Sequence, residues 1–115
     1  MLQKCFLCDI IEGREGVRFV RNMEDIVAYR SPLPLAPVHI ILAPKRHIPA
    51  LTGITTEDAE MLSRMLLLVP ELARENAVFQ CGFRLVANCG PDAGEEEGHL
   101  HFHLLGGTRL TDQLA

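Results

Sequence analysis

The chain has 115 residues, 48% hydrophobic and 23% charged, a length and balance that fit one globular domain over residues 1–115 and exclude a disordered or fibrous protein. Eleven Lys and Arg stand against fifteen Asp and Glu, giving a net charge of −4, so the basic footprint of a duplex nucleic-acid binder is missing. No apolar run approaches the ~20 residues that cross a bilayer, and the first residues lack the basic and long apolar regions of a signal peptide, so the expectation is a cytoplasmic protein with no membrane partner.

In chain order, residues 5–12 (CFLCDIIE) predict a short helix stopped by Gly13. Residues 17–20 and 26–30 are apolar stretches of strand length, joined by a turn over residues 22–25 into a hairpin. Residues 31–37 carry Pro32, Pro34 and Pro37, each without a backbone donor, which predicts an extended connection. Residues 38–43 (VHIILA) read as a buried strand and residues 45–53 as a loop. Thr55 with Asp58 three residues on marks a helix start by the capping-box pattern. Leu62, Met65, Leu66, Val69, Leu72 and Ala73 then recur at helical spacing to about Glu75. Pro70 costs ~3 kcal/mol in a straight helix and predicts a kink or an early end near Val69. Residues 83–88 are a further strand, residues 89–98 (CGPDAGEEEG) a glycine-rich acidic loop, and residues 99–105 (HLHFHLL) the last strand. Strands and helices in this order predict an α+β fold with a five-stranded antiparallel sheet, one long helix and a short N-terminal helix.

Three of the five histidines fall in the last strand. Alternate residues of a strand share a face, so His99, His101 and His103 are expected on one side, with Leu100, Phe102 and Leu104 turned to a core. A single zinc held by all three is strained, because the outer pair lie ~13 Å apart on an ideal strand at ~3.3 Å per residue. The alternative is nucleophilic chemistry at phosphorus. One ring nitrogen of a neutral imidazole is held by a hydrogen bond, the other attacks, and one hard displacement becomes two easier ones through a phosphohistidine. His101, with a histidine on either side, is the expected nucleophile. By spacing alone, Cys5 and Cys8 form a Cys-x-x-Cys pair, better read in a reducing compartment as metal or redox than as a disulfide. Cys81 and Cys89 are expected as partly buried small hydrophobes without a role.

HLHFHLL has the alternating pattern that gives the histidine triad (HIT) family its name, and the resemblance extends through CFLCDIIEG, residues 28–48 and residues 88–107. The LLGG ending resembles the Hint branch, whose members hydrolyse nucleoside 5′-phosphoramidates and form homodimers. The resemblance implies a curved HIT-like sheet, a purine nucleotide or nucleoside phosphoramidate as substrate, His101 as nucleophile, His103 beside the phosphate or leaving group, and His39 as support. It places Asn88, Gly94 and the backbone N–H groups of residues 94–98 at the phosphate, and it requires no catalytic metal. It also implies a structural zinc held by Cys5, Cys8, His47 and His99. Two other functions fit the same residues: a zinc-stabilised nucleotide-binding or interaction module with little turnover, and a dinucleoside polyphosphate hydrolase.

The sequence departs from the family pattern twice. Ser31 stands where an Asp usually meets the ribose hydroxyls, and a hydroxyl cannot supply two charge-assisted acceptors. Glu95, Glu96 and Glu97 stand where glutamine and a hydroxyl residue commonly follow the glycine. The expectation is that this run faces solvent, as charge runs usually do. A sharper alternative has Glu96 accept a hydrogen bond from a basic leaving group. Arg30, Lys45 and Arg46 lie near the nucleotide-facing segment and are expected to be exposed.

Overall fold

The computed structural model describes residues 5–95 and 98–111. Strands β1 (Arg18–Asn22), β2 (Ile26–Arg30), β3 (Val38–Pro44), β4 (Phe83–Val86) and β5 (Phe102–Gly106) form one antiparallel sheet in the order β1-β2-β3-β5-β4. The expected hairpin is β1–β2. A register shift between Phe19 and Arg21 lets β1 deviate from straight pairing.

Alternation along the strands gives the sheet two different faces. Ile26, Ala28, Ile40, Leu42 and Leu104 pack against Met65, Leu68, Val69 and Leu72 of the long helix α2 (Ala59–Glu75). On the opposite face Val27, Tyr29, Ile41 and Ala43 meet Leu7 and Ile10 of α1 (Phe6–Ile11). His39 and His103 have the parity of Ile41 in the paired register, so they also turn away from α2, on the side that remains for chemistry.

The capping box forms as expected. Thr55 Oγ1 accepts from the Glu57 N–H, the Asp58 carboxylate accepts from the Thr55 N–H, and a 3-10 turn over Thr56–Asp58 leads into α2. Two expectations for this helix are corrected. Of the kink or early end expected at Pro70, the early end does not occur: the helix continues through Pro70 to Glu75, because Val69, Leu72 and Ala73 are anchored in the core around the proline. The buried stripe takes in Leu68, while Leu66 is 52% exposed. Among the described residues no helix is long and apolar enough to cross a membrane.

The last strand is shorter than expected. β5 starts at Phe102, opposite Leu42, so His99 and His101 precede it. Pro44 has no N–H with which to extend the ladder, and its carbonyl is taken by the His99 ring at 2.9 Å. Leu100 donates its N–H to Ile48 O at 2.6 Å, drawing the lead-in segment toward the loop after β3.

Candidate active site and metal cluster

The divergence before β5 separates the three histidines into two tasks. His99 is fully buried and belongs to a cluster with Cys5, Cys8 and His47, whose ligand atoms all lie within 4.8 Å of one another. The His99 ring donates Nε2–H to the Pro44 carbonyl, so the lone pair is on Nδ1. Nδ1 is 3.4 Å from Cys5 Sγ and 3.6 Å from Cys8 Sγ, and His47 Nδ1 is 3.3 Å from Cys8 Sγ. In tetrahedral zinc, legs of ~2.3 Å to sulfur and ~2.1 Å to nitrogen put S and N about 3.6 Å apart, so these separations match the edges of such a site.

Helix α1 builds the thiol half of this cluster. Cys5 is its N-cap, and its Sγ accepts the Cys8 N–H at 3.2 Å, which aims both sulfurs at the same point. Burial, and then the adjacent Cys5, push the Cys8 thiol up to about 11. A bound cation would supply the charge that offsets this. Two thiolates and two imidazoles make a closed donor set that suits a structural zinc.

His101 and His103 remain together, with ring centroids 5.0 Å apart. Their proton positions follow from fixed partners. His101 Nδ1 lies 2.8 Å from the His99 carbonyl, which can only accept, so Nδ1 carries hydrogen and the lone pair of the neutral ring is on Nε2. Leu35 donates its N–H to His39 Nδ1 at 3.0 Å, which leaves the His39 proton on Nε2. That nitrogen is 2.8 Å from His103 Nδ1 and donates to it, so the His103 proton is on Nε2. The pair thus presents a nucleophilic nitrogen on His101 and an N–H donor on His103. Both rings that form the relay are held neutral: burial, and then the neighbouring His101 and His39, lower His103 to about 4, and burial lowers His39.

The segment over residues 89–95 reaches this pair through Glu95. A 3-10 turn, Pro91–Ala93, closes on Gly94, whose φ of 83° is left-handed and favours glycine. The N–H groups of Gly94 and Glu95 donate to Pro91 O and Gly90 O, so these two hold the turn and do not point at a phosphate as expected. Glu95 also departs from the expected solvent-facing run. Its side chain is only 10% exposed, and Oε2 is 3.5 Å from His101 Nε2. Glu96, the residue expected to meet a basic leaving group, and Glu97 lie outside the described residues. The spacing of three glutamates carried no signal for which would turn inward; that depends on the Gly94 bend.

Asn88 is half-buried, two residues past Val86, which pairs with His103 in the β4–β5 register. Ser31 follows β2 and uses its Oγ to accept the Leu33 N–H at 3.3 Å, while its own N–H donates to the His39 carbonyl at 2.9 Å. It therefore fastens the proline segment. Arg30 donates to Asn76 at 3.0 Å, and Arg46 pairs with the buried Asp58, so these exposed cations are tied to structure; Lys45 is half-buried. Cys89 is partly buried as expected, but Cys81 is exposed because it sits in the turn before β4.

Comparison with known proteins matches the HIT domain model over residues 14–110. The chain is 34% identical to the purine nucleoside phosphoramidase of Escherichia coli strain K12, over 100% of this chain and 97% of that protein. A HIT family hydrolase from Legionella pneumophila superposes with a TM-score of 0.90 at 34% identity, covering 95% of this chain and 97% of the other. A HIT family hydrolase from Clostridium thermocellum gives 0.91 at 31% identity, with full coverage of both chains.

Proposed function

We propose, from the premise that this chain belongs to the HIT family, that it is a nucleotide hydrolase which cleaves a purine nucleoside phosphoramidate or related mixed phosphate through a covalent intermediate on His101. The observation that carries this reading is the 2.8 Å contact of His101 Nδ1 with the His99 carbonyl, which places a proton on Nδ1 and makes Nε2 the nitrogen whose lone pair the neutral ring presents. In the first step the Nε2 lone pair forms a bond to the α-phosphorus, and the bond from phosphorus to the leaving nitrogen breaks as that nitrogen takes a proton from solvent and departs as the amine. Water then displaces Nε2 from phosphorus and releases a proton to solvent, yielding the nucleoside monophosphate and restoring the imidazole. His103 Nε2–H donates to a phosphoryl oxygen or the departing nitrogen, and His39 is the positioning residue that keeps that proton in place. Asn88 is assigned to the phosphate surround, while Gly94 holds the turn that carries Glu95. Charge stabilisation and orientation supply most of the rate in such transfers.

Cys5, Cys8, His47 and His99 are assigned to a structural zinc, supported by their tetrahedral-edge separations. The ion would tie α1 to the segment carrying His101. A cytoplasmic location is assigned with it, supported by Cys5 and Cys8 being free rather than joined in a disulfide. A homodimer is supported by Leu66 and Leu67, 52% and 65% exposed on α2, and by β4, an edge strand.

A zinc-stabilised nucleotide-binding module with little turnover is the second reading, favoured by the engaged Ser31 hydroxyl and the inward Glu95. A fluorogenic adenosine or guanosine phosphoramidate decides between the two. Wild-type turnover that falls about a thousandfold or more in His101→Asn is expected. Equal rates would remove His101 from the chemistry, and tight AMP binding without turnover would select the module.

A further inference from the structure

Glu95 is the feature of the site that its proposed chemistry does not use. Its side chain is 10% exposed, and Oε2 stands 3.5 Å from His101 Nε2, the nitrogen assigned to the attack. A phosphorus atom about to be attacked must sit about 3 to 3.5 Å from Nε2 along that lone pair. The carboxylate therefore borders the volume that the reacting phosphate enters. A carboxylate roughly 6 Å from a phosphate charge still repels it appreciably where burial limits screening.

We propose that Glu95 is a specificity-determining residue, a charge filter that admits a monoanionic phosphoramidate, above all one whose leaving amine carries a further ammonium group, and disfavours dianionic and polyanionic phosphates. The proposal rests on the phosphoramidate reading given above. A phosphoramidate diester brings one negative charge to Nε2. A nucleoside monophosphate brings close to two at neutral pH, and a dinucleoside polyphosphate several. Each added charge beside a carboxylate at ~6 Å and an effective dielectric of ~20 weakens binding by about a hundredfold, and by nearer tenfold with solvent screening. The monophosphate product is more negative than the substrate and is expelled, so Glu95 also limits product inhibition. A second ammonium on the amine reverses the sign of the interaction and is drawn in.

The test compares three substrates of one nucleoside: a phosphoramidate with a neutral leaving amine, one with an aminoalkyl leaving amine, and the dinucleoside tetraphosphate. Wild type is expected to show the highest kcat/KM for the aminoalkyl compound and the lowest for the tetraphosphate. In Glu95→Gln the spread should shrink, and AMP affinity by calorimetry should rise about ten- to a hundredfold. Glu95→Asp, which keeps the charge, should retain the wild-type order. If Glu95→Gln does not fold, the wild-type preference measured at rising ionic strength replaces it, and compression by salt is expected. His101-dependent turnover with substrate order and AMP affinity unmoved in Glu95→Gln, or unmoved by salt, overturns the filter. Absence of His101-dependent turnover overturns the parent reading instead, and calorimetry with AMP still tests Glu95 by binding alone.

Discussion

His103 links the site to pH through one side chain. Its folded value is lowered to about 4 by burial and then by His101 and His39, with Glu95 opposing, whereas an unfolded histidine titrates near 6.5. Between these values the unfolded chain binds the proton and the folded chain does not, so stability is complete above about pH 6.5 and is lost as pH falls toward 4. The loss is of order 1 to 2 kcal/mol after discounting for partial exposure. Urea unfolding at pH 7.5, 6 and 5 checks this. The midpoint should fall with acid in wild type and fall less in His103→Gln; equal slopes in the two proteins would refute it. The alternation of histidines in the sequence pointed to His101 and His103 as a pair, and their ring centroids lie 5.0 Å apart. It did not reveal that His99 leaves them, because that depends on the missing N–H of Pro44, a residue of another strand. Glu95 was hidden for a similar reason: neighbouring glutamates look alike until a left-handed glycine aims one of them.

Among the elements, α1 is too short at six residues to be stable alone. Leu7 and Ile10 anchor one side of it, and the Cys5–Cys8 contacts with His99 and His47 anchor the other. Zinc removal should therefore loosen α1 first. Purified protein is expected to hold about one equivalent of zinc, and Cys5→Ser to hold less than half an equivalent with a melting temperature lower by several degrees. Wild-type protein with less than half an equivalent, unchanged in Cys5→Ser, would reject the site. Local pattern was sufficient for the α2 cap and for β2 and β3, where capping chemistry and continuous burial are written in consecutive residues. It failed at Pro70 and Leu66, where packing of Leu68, Val69 and Leu72 on the sheet decides both the length and the rotation of the helix.

For the whole molecule, the α+β class and the antiparallel sheet were legible because strand-length apolar runs and one helical stripe occur in sequence order. The β1-β2-β3-β5-β4 arrangement, with the C-terminal strand inserted between β3 and β4, was not, since no local residue specifies which strand lies beside which. The outer side of α2 bears on assembly. Light scattering with size-exclusion chromatography should give a mass near twice that of one 12.8 kDa chain, and Leu67→Glu should shift it to the monomer. A monomeric wild type would rule out the dimer. The connection between β2 and β3 shows how the fold reaches the chemistry from a distance. Prolines occupy positions 32, 34 and 37, while Leu33 and Leu35 between them spend their amide hydrogens on Ser31 Oγ and His39 Nδ1. Position 35 therefore tolerates almost any side chain yet bars a fourth imino acid, since a main-chain hydrogen there decides, two rings away, whether the active centre offers a donor or an acceptor.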